Sequence, residues 1–259
     1  MAKRGNKKED NNNENKDPQN RTQVTIQLIT TIGLIIVALI GILPNILQGR
    51  KNEPTSTNAP TQTETSSSTA LVYIEDFSKN TSSYLPLTPY EDDHWKGTYS
   101  VSNGIYQIII EDKMPVAAEI QPNNIPDSSD LEIEVGLKLI EGISYYYYGV
   151  AFRYSSSGYY FFGINPQNQN YLFQRWEAFG DEKKWVQISN GTSQAINSAT
   201  NNIKVTARGD QISAYINNIA VIAGIKDNTF SSGKVKLMVL ITGGKVALEI
   251  PNFEVSIFR

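Results

Sequence analysis

The chain has 259 residues and a formal net charge of -3, so nothing in its overall charge points to nucleic acid. It has no cysteine, which excludes a disulfide framework, a thiolate metal site and a cysteine nucleophile. Fourteen tyrosines and three tryptophans stand against one histidine, a balance that favours a β-rich, aromatic-surfaced domain and makes a zinc site or a Ser-His-Asp set hard to assemble.

Residues 1–23 are polar, rich in Asn, Lys and Asp, and have no apolar period. Such a segment cannot bury enough surface to offset its ordering entropy, so a disordered tail is expected. Residues 24–43, VTIQLITTIGLIIVALIGIL, carry no charge and can cross a hydrocarbon core of about 30 Å as a helix. The run ends in Gly41-Ile42-Leu43-Pro44-Asn45, without a small-residue cleavage pattern, so it reads as an uncleaved anchor in the lipid bilayer. Lys3, Arg4, Lys7, Lys8, Lys16 and Arg21 precede it, whereas only Arg50 and Lys51 follow closely. That bias predicts a single-pass cell-membrane protein with a cytoplasmic N-terminus and an extracellular C-terminal domain. Residues 44–69 are rich in Ser, Thr and Pro beyond Lys51 and read as a solvated linker.

From residue 70 the character changes. Short apolar or alternating runs cover 71–77, 97–101, 104–110, 115–120, 130–140, 144–154, 158–165, 170–177, 184–189, 202–208, 211–217, 219–223, 233–241 and 245–258, separated by Gly, Asn, Pro and Asp. None has clear helical periodicity. Asn103-Gly104, Gly209-Asp210 and Asn217-Asn218 mark tight turns between them. The pattern predicts an all-β domain over 70–259, an antiparallel sandwich or barrel.

The densest run is Tyr145 to Tyr154. Read at period two, Tyr146, Tyr148, Val150, Phe152 and Tyr154 form an apolar row, and Tyr145, Tyr147, Gly149, Ala151 and Arg153 a mixed one. In 131–139 the odd residues are apolar, leaving Glu132, Glu134 and Lys138 on the other row. In 159–164 Tyr160, Phe162 and Ile164 continue the apolar face, opposite Tyr159, Phe161 and Gly163. If these three strands are sequential antiparallel neighbours, their mixed rows share one sheet face. Aromatic rings, charges and glycines on one face suit a carbohydrate: sugar C–H patches pack on rings, hydroxyls need fixed partners, and glycines leave a groove open. The expected contacts are Tyr145, Tyr147, Arg153, Tyr159, Arg175, Trp176 and Trp185, with Glu132 and Glu134 beside them. The same face could instead dock another envelope component.

The segments YGVAFRYSSSGYYFFGINPQNQNYLFQRWE, KKWVQI, NNIKVTARGDQISAYINNIAVI and KDNTFSSGKVKLMVLITGGKVALEIPNFEV resemble bacterial concanavalin A-like, laminin G-type domains, including those similar to 3-keto-disaccharide hydrolases and family 16 glucanases. The resemblance implies a two-sheet jelly-roll sandwich, commonly carried behind a signal peptide or membrane anchor. It departs at Ile250-Pro251-Asn252-Phe253, where an Asp often supports calcium. Asp76, Asp227 and Asn252 are only scattered oxygen donors, so no metal or cofactor is expected. A retaining glucanase of this fold would carry a Glu-x-Asp-x-x-Glu strand. The nearest segment, Glu132 to Leu137, has two carboxylates and ends in leucine, which points to binding ahead of glycoside hydrolysis.

Overall fold

The computed structural model describes residues 70–112, 114, 116–142 and 146–259. The tail, bilayer span and linker expected over 1–69 lie outside the described residues, as does Tyr145. Among the described residues, no helix is long and apolar enough to cross a membrane.

Alternating and apolar runs become strands because β-branched and aromatic side chains fit a pleated surface packed on one side. In chain order they are β1 (Ala70–Ile74), β2 (Tyr90–Glu91), β3 (Trp95–Ser102), β4 (Ile105–Asp112), β5 (Val116–Ile120), β6 (Leu131–Glu141), β7 (Tyr146–Ser155) and β8 (Gly158–Asn165). There follow β9 (Asn170–Phe179), β10 (Glu182–Thr192), β11 (Thr200–Arg208), β12 (Gln211–Ile216), β13 (Ile219–Lys226), β14 (Lys234–Ile241), β15 (Gly244–Ile250) and β16 (Phe253–Phe258). A 3-10 turn at Phe77–Lys79 is the one helical element among the described residues. The expected run 245–258 is two strands. Pro251 has no N–H to give a ladder, and Gly136 on β6 donates instead to the Asn252 carbonyl, 3.1 Å away. β2 was not expected. Its Tyr90 ring packs on Trp95 at 4.5 Å, and His94 between them in the chain is exposed.

The strands form two antiparallel sheets. The larger runs β13-β12-β11-β6-β15-β4-β3-β2, with β16 and then β1 branching from β6. The smaller runs β10-β9-β8-β7-β14-β5. Asn103 and Gly104 have φ of 53° and 73°, and Asn217 and Asn218 of 50° and 66°, as two-residue hairpin turns require. One core lies between the sheets. The larger contributes Leu131, Ile133, Val135, Ile108, Ile203 and Val205; the smaller contributes Tyr148, Val150, Phe152, Phe162, Phe173 and Leu237. Each such side chain, fully buried, contributes about 1.5–3 kcal/mol. The architecture is an all-β jelly-roll sandwich.

One connection overturns the face assembled from sequence. The chain passes between sheets after β6, so β7 pairs with β8 and β14 and not with β6. Glu132 and Glu134 therefore sit on the outside of the larger sheet, away from Tyr147 and Tyr159 on the smaller one. Parity is a local property of each strand, whereas sheet membership is set by long-range pairing.

Burial governs how the core tyrosines titrate. Desolvation pushes Tyr99, Tyr146 and Tyr160 from the ordinary 10.0 up to about 12, with an Asp227 hydrogen bond adding to the shift at Tyr160. Tyr106, Tyr148, Tyr154 and Tyr159 are driven up further by the same cause. A pKa raised in the folded state gives stability that is complete below the unfolded value near 10 and lost as pH rises through the folded one. Alkaline titration should therefore show the buried phenols ionising together with loss of the β circular-dichroism signal between about pH 10 and 12. Simple non-cooperative ionisation at 295 nm near pH 10, with the fold intact, would contradict this burial.

Candidate functional site

Away from the main core, the outer face of the smaller sheet carries a second apolar layer. Tyr159, Phe161, Ala151 and Met238 are buried in it, with Tyr147, Tyr154, Trp176, Trp185, Leu240 and Ala117 packed around them. Cross-strand register explains the assembly. Tyr159 on β8 faces Trp176 on β9, which faces Trp185 on β10, while Met238 on β14 faces Gly149 on β7. The rings make a continuous ladder. Tyr154 stacks on Tyr159 at 4.5 Å and 14°, Tyr159 meets Trp185 edge-on at 5.6 Å, and Trp185 tilts against Trp176 at 5.1 Å.

The glycines do not leave an open groove, as the sequence suggested. Gly149 lies opposite Gly163, and a Cβ on Gly149 would meet the Phe162 carbonyl oxygen at 2.1 Å. A Cβ on Gly163 would meet the Phe161 ring at 2.4 Å. The space they release is filled by Phe161, which is 0% exposed. Tyr159 is only 5% exposed, so it supports the ladder from beneath; Tyr154, Trp176 and Trp185 are its partly exposed members, and Tyr147 is a partly exposed residue of the surrounding layer.

Arg153 departs most from expectation. It was placed on the outer row, and it is 0% exposed. Its φ is 50°, and the pairing of β7 with β8 slips between Phe152 and Ser155. This is a β-bulge: one extra residue reverses the alternation. Arg153 turns inward, where Nε and Nη2 donate to the Ser129 carbonyl at 3.0 and 2.7 Å, Nη2 to the Gly209 carbonyl at 2.7 Å and Nη1 to the Phe230 carbonyl at 3.2 Å. Burial draws its pKa below the usual arginine value, opposed by Tyr160, Asp130 and Asp227. The same slip turns Tyr154, read as core, out onto the ladder. There its hydroxyl donates to Glu119 at 3.0 Å, and Lys236 lies 3.4 Å over its ring while pairing with Glu119 at 2.6 Å.

Arg175 is also separated from the ladder. It shares a strand row with Phe173 and Glu177, on the core side at one end of the sandwich. It pairs with Glu177 at 2.6 Å and with Asp227, which also accepts from the Tyr160 hydroxyl at 2.6 Å. Burial would raise the Asp227 pKa, but the Tyr160 and Thr229 donors and Arg175 hold it below the ordinary carboxylate value. Glu132 and Glu134 share Lys204 at 3.4 and 2.9 Å, and Glu134 accepts from Asn202 at 2.7 Å. Lys204 and Asn202 together hold the Glu134 pKa down. In the Arg208-Gly209-Asp210 turn, Arg208 covers the Phe258 ring at 3.1 Å, Gly209 N–H donates to Asp130 at 2.9 Å and the Asp210 carbonyl accepts from Asp227 N–H at 2.8 Å.

Of the expected contacts, the outer layer holds Tyr147, Tyr159, Trp176 and Trp185, and the ring ladder joins the last three. It excludes Arg153, Arg175, Glu132 and Glu134. Tyr154, Glu119 and Lys236 were missed. Alternation in β5 and β14 put Glu119 and Lys236 on outer rows, but nothing local said those rows join β7, and nothing in Phe-Arg-Tyr announced the bulge.

No protein-family model matches the chain, and no curated protein matches it in sequence. Solved structures match in fold. A β-1,3-1,4-glucanase (lichenase) derived from a mouse hindgut metagenome superposes with TM-score 0.51 at 10% identity, covering 73% of this chain and 99% of its own. The κ-carrageenase of Zobellia galactanivorans gives 0.51 at 9%, covering 78% and 100%. LamA of Z. galactanivorans, solved with laminaritriose and laminaritetraose, gives 0.50 at 8%, covering 73% and 100%. The fold is thus the concanavalin A-like jelly roll, and identities this low establish the fold alone.

Proposed function

We propose that this chain is a membrane-anchored, extracytoplasmic module that binds glycan on the outer face of its smaller sheet without cleaving it. The observation that carries this reading is the ladder Tyr154–Tyr159–Trp185–Trp176, with the Glu119–Lys236 pair at its end. Partly exposed rings offer flat apolar surfaces to sugar C–H faces, and a fixed carboxylate and ammonium offer an acceptor and a donor to hydroxyls. Hydrolysis by a carboxylate pair needs two carboxyl groups about 5–5.5 Å apart for retention, or about 6.5–9.5 Å for inversion. Among the described residues on the strands of this sheet, Glu119 is the one carboxylate whose row faces this side. The uncharged run 24–43 supports anchoring, and the basic bias before it supports an outward-facing domain.

The full-length chain in detergent, titrated with laminaritetraose and a κ-carrageenan tetrasaccharide, should show a saturable change in tryptophan emission. The same chain expressed in cells should resist carbonate extraction, and protease added outside should reach its C-terminal domain. Silence towards every glycan on a broad array, with a tight protein partner recovered by pull-down, would overturn the glycan reading in favour of docking to another envelope component.

A further inference from the structure

The ladder runs into a cavity at its Tyr154 end. It is an open, mostly polar cleft of about 370 Å³, and its walls include Asp127, Tyr154, Ser155, Ser156, Lys234 and Lys236. The bulge at Arg153 builds this corner, since it turns Tyr154 outward and brings the Ser155–Gly158 turn beside it.

Its charges are balanced. Lys236 is already held by Glu119 at 2.6 Å and by the Tyr154 ring. Lys234 and Asp127 are both exposed, and among the described residues neither makes an ion pair. Two ammonium groups, of Lys234 and Lys236, are thus matched in number by two carboxylates, Asp127 in the wall and Glu119 paired with Lys236. The four charges sum to zero, so the site has no net positive charge to favour a sulfate or a uronate. It presents instead a free carboxylate acceptor and a free ammonium donor beside the edge of the Tyr154 ring, a set matched to the hydroxyls of an uncharged sugar.

We propose that this cavity is the end subsite of the glycan site and takes one neutral sugar residue, held by Asp127 and Lys234 against Tyr154, with the next rings of the chain lying on Trp185 and Trp176. This rests on the glycan reading above and narrows it to neutral glycans.

The test is calorimetric titration of the full-length chain with a panel of neutral tetrasaccharides (laminari-, cello-, xylo-, manno- and fructo-oligomers), sulfated κ-carrageenan tetrasaccharide and tetragalacturonate. At least one neutral oligomer should bind tenfold or more tightly than either anionic one. Asp127→Asn and Lys234→Gln should each weaken that neutral binding by about tenfold, the loss of one charge-assisted hydrogen bond, with the thermal midpoint unchanged because both side chains are exposed. An anionic oligomer bound as tightly as the best neutral one, or both variants binding the neutral oligomer like wild type, would overturn the subsite while leaving the glycan reading standing. No binding by any panel member would defeat both.

Discussion

Replacing Arg153 with methionine is expected to lower the thermal midpoint by about 10 °C, although the substitution keeps most of the side-chain bulk. The guanidinium supplies four hydrogen bonds to three backbone carbonyls, those of Ser129, Gly209 and Phe230, from three different loops. Methionine can donate to none of them. Each buried acceptor left without a partner costs about 1–3 kcal/mol, and relief of the arginine's own desolvation offsets part of the sum, leaving about 3–5 kcal/mol. In a domain of this size 1 kcal/mol moves the midpoint by about 2–4 °C. Lysine should rescue little, because one ammonium cannot fork to three carbonyls on separate loops. Glycine accepts the positive φ of 50° without strain, but it loses the clamp and leaves a cavity where the whole buried side chain stood, so it should fall below methionine. Midpoints by calorimetry give the order. A methionine variant within about 2 °C of wild type would mean that the carbonyls find other donors and that the clamp is not what holds these loops.

Trp185→Ala is expected to weaken glycan binding at least 30-fold while leaving the fold intact. Trp185 is partly exposed on β10, the edge strand of the smaller sheet, and none of its ring contacts reaches the main core. Its removal takes a stacking surface from the ladder and uncovers Tyr159. Truncating an aromatic anchor of a binding face costs about 2 kcal/mol or more, which is about 30-fold in affinity. Trp95 provides the control. It lies on the other sheet, packed against Tyr90, so Trp95→Phe should leave the affinity unchanged. Calorimetric titration of both variants decides the matter: equal loss in each would indicate a fold effect, and wild-type affinity in Trp185→Ala would move the ligand off this face.

The contrast between Tyr159 and Arg153 locates what was legible in advance. Tyr147 and Tyr159 could be placed because alternation puts them on the row opposite the apolar one, a pattern spaced two residues apart. Arg153 could not be placed correctly, because period two holds only while the ladder stays in register, and a single αL residue breaks it. Glu132 and Glu134 were on the right row of the right strand, and on the wrong side of the molecule. The error lay in taking consecutive strands as neighbours in a fold whose connections pass between layers.

The sequence by itself determined the all-β class, the place of most long strands, the inward rows of β6, β8 and β7 as far as Phe152, the two Asn hairpins and the aromatic character of the surface. These follow from side-chain shape and alternation over a few residues, interactions that do not depend on the rest of the chain. Only the tertiary structure decided which outer rows share a face, that Glu119 and Lys236 join the tyrosines, that Tyr154 points out and that Arg153 points in. Those outcomes depend on pairings between strands far apart in the chain, such as β14 with β7, and on carbonyls from three distant loops competing for one guanidinium. No local pattern encodes such pairings, because their free energy exists only once the sheets have closed over a common core.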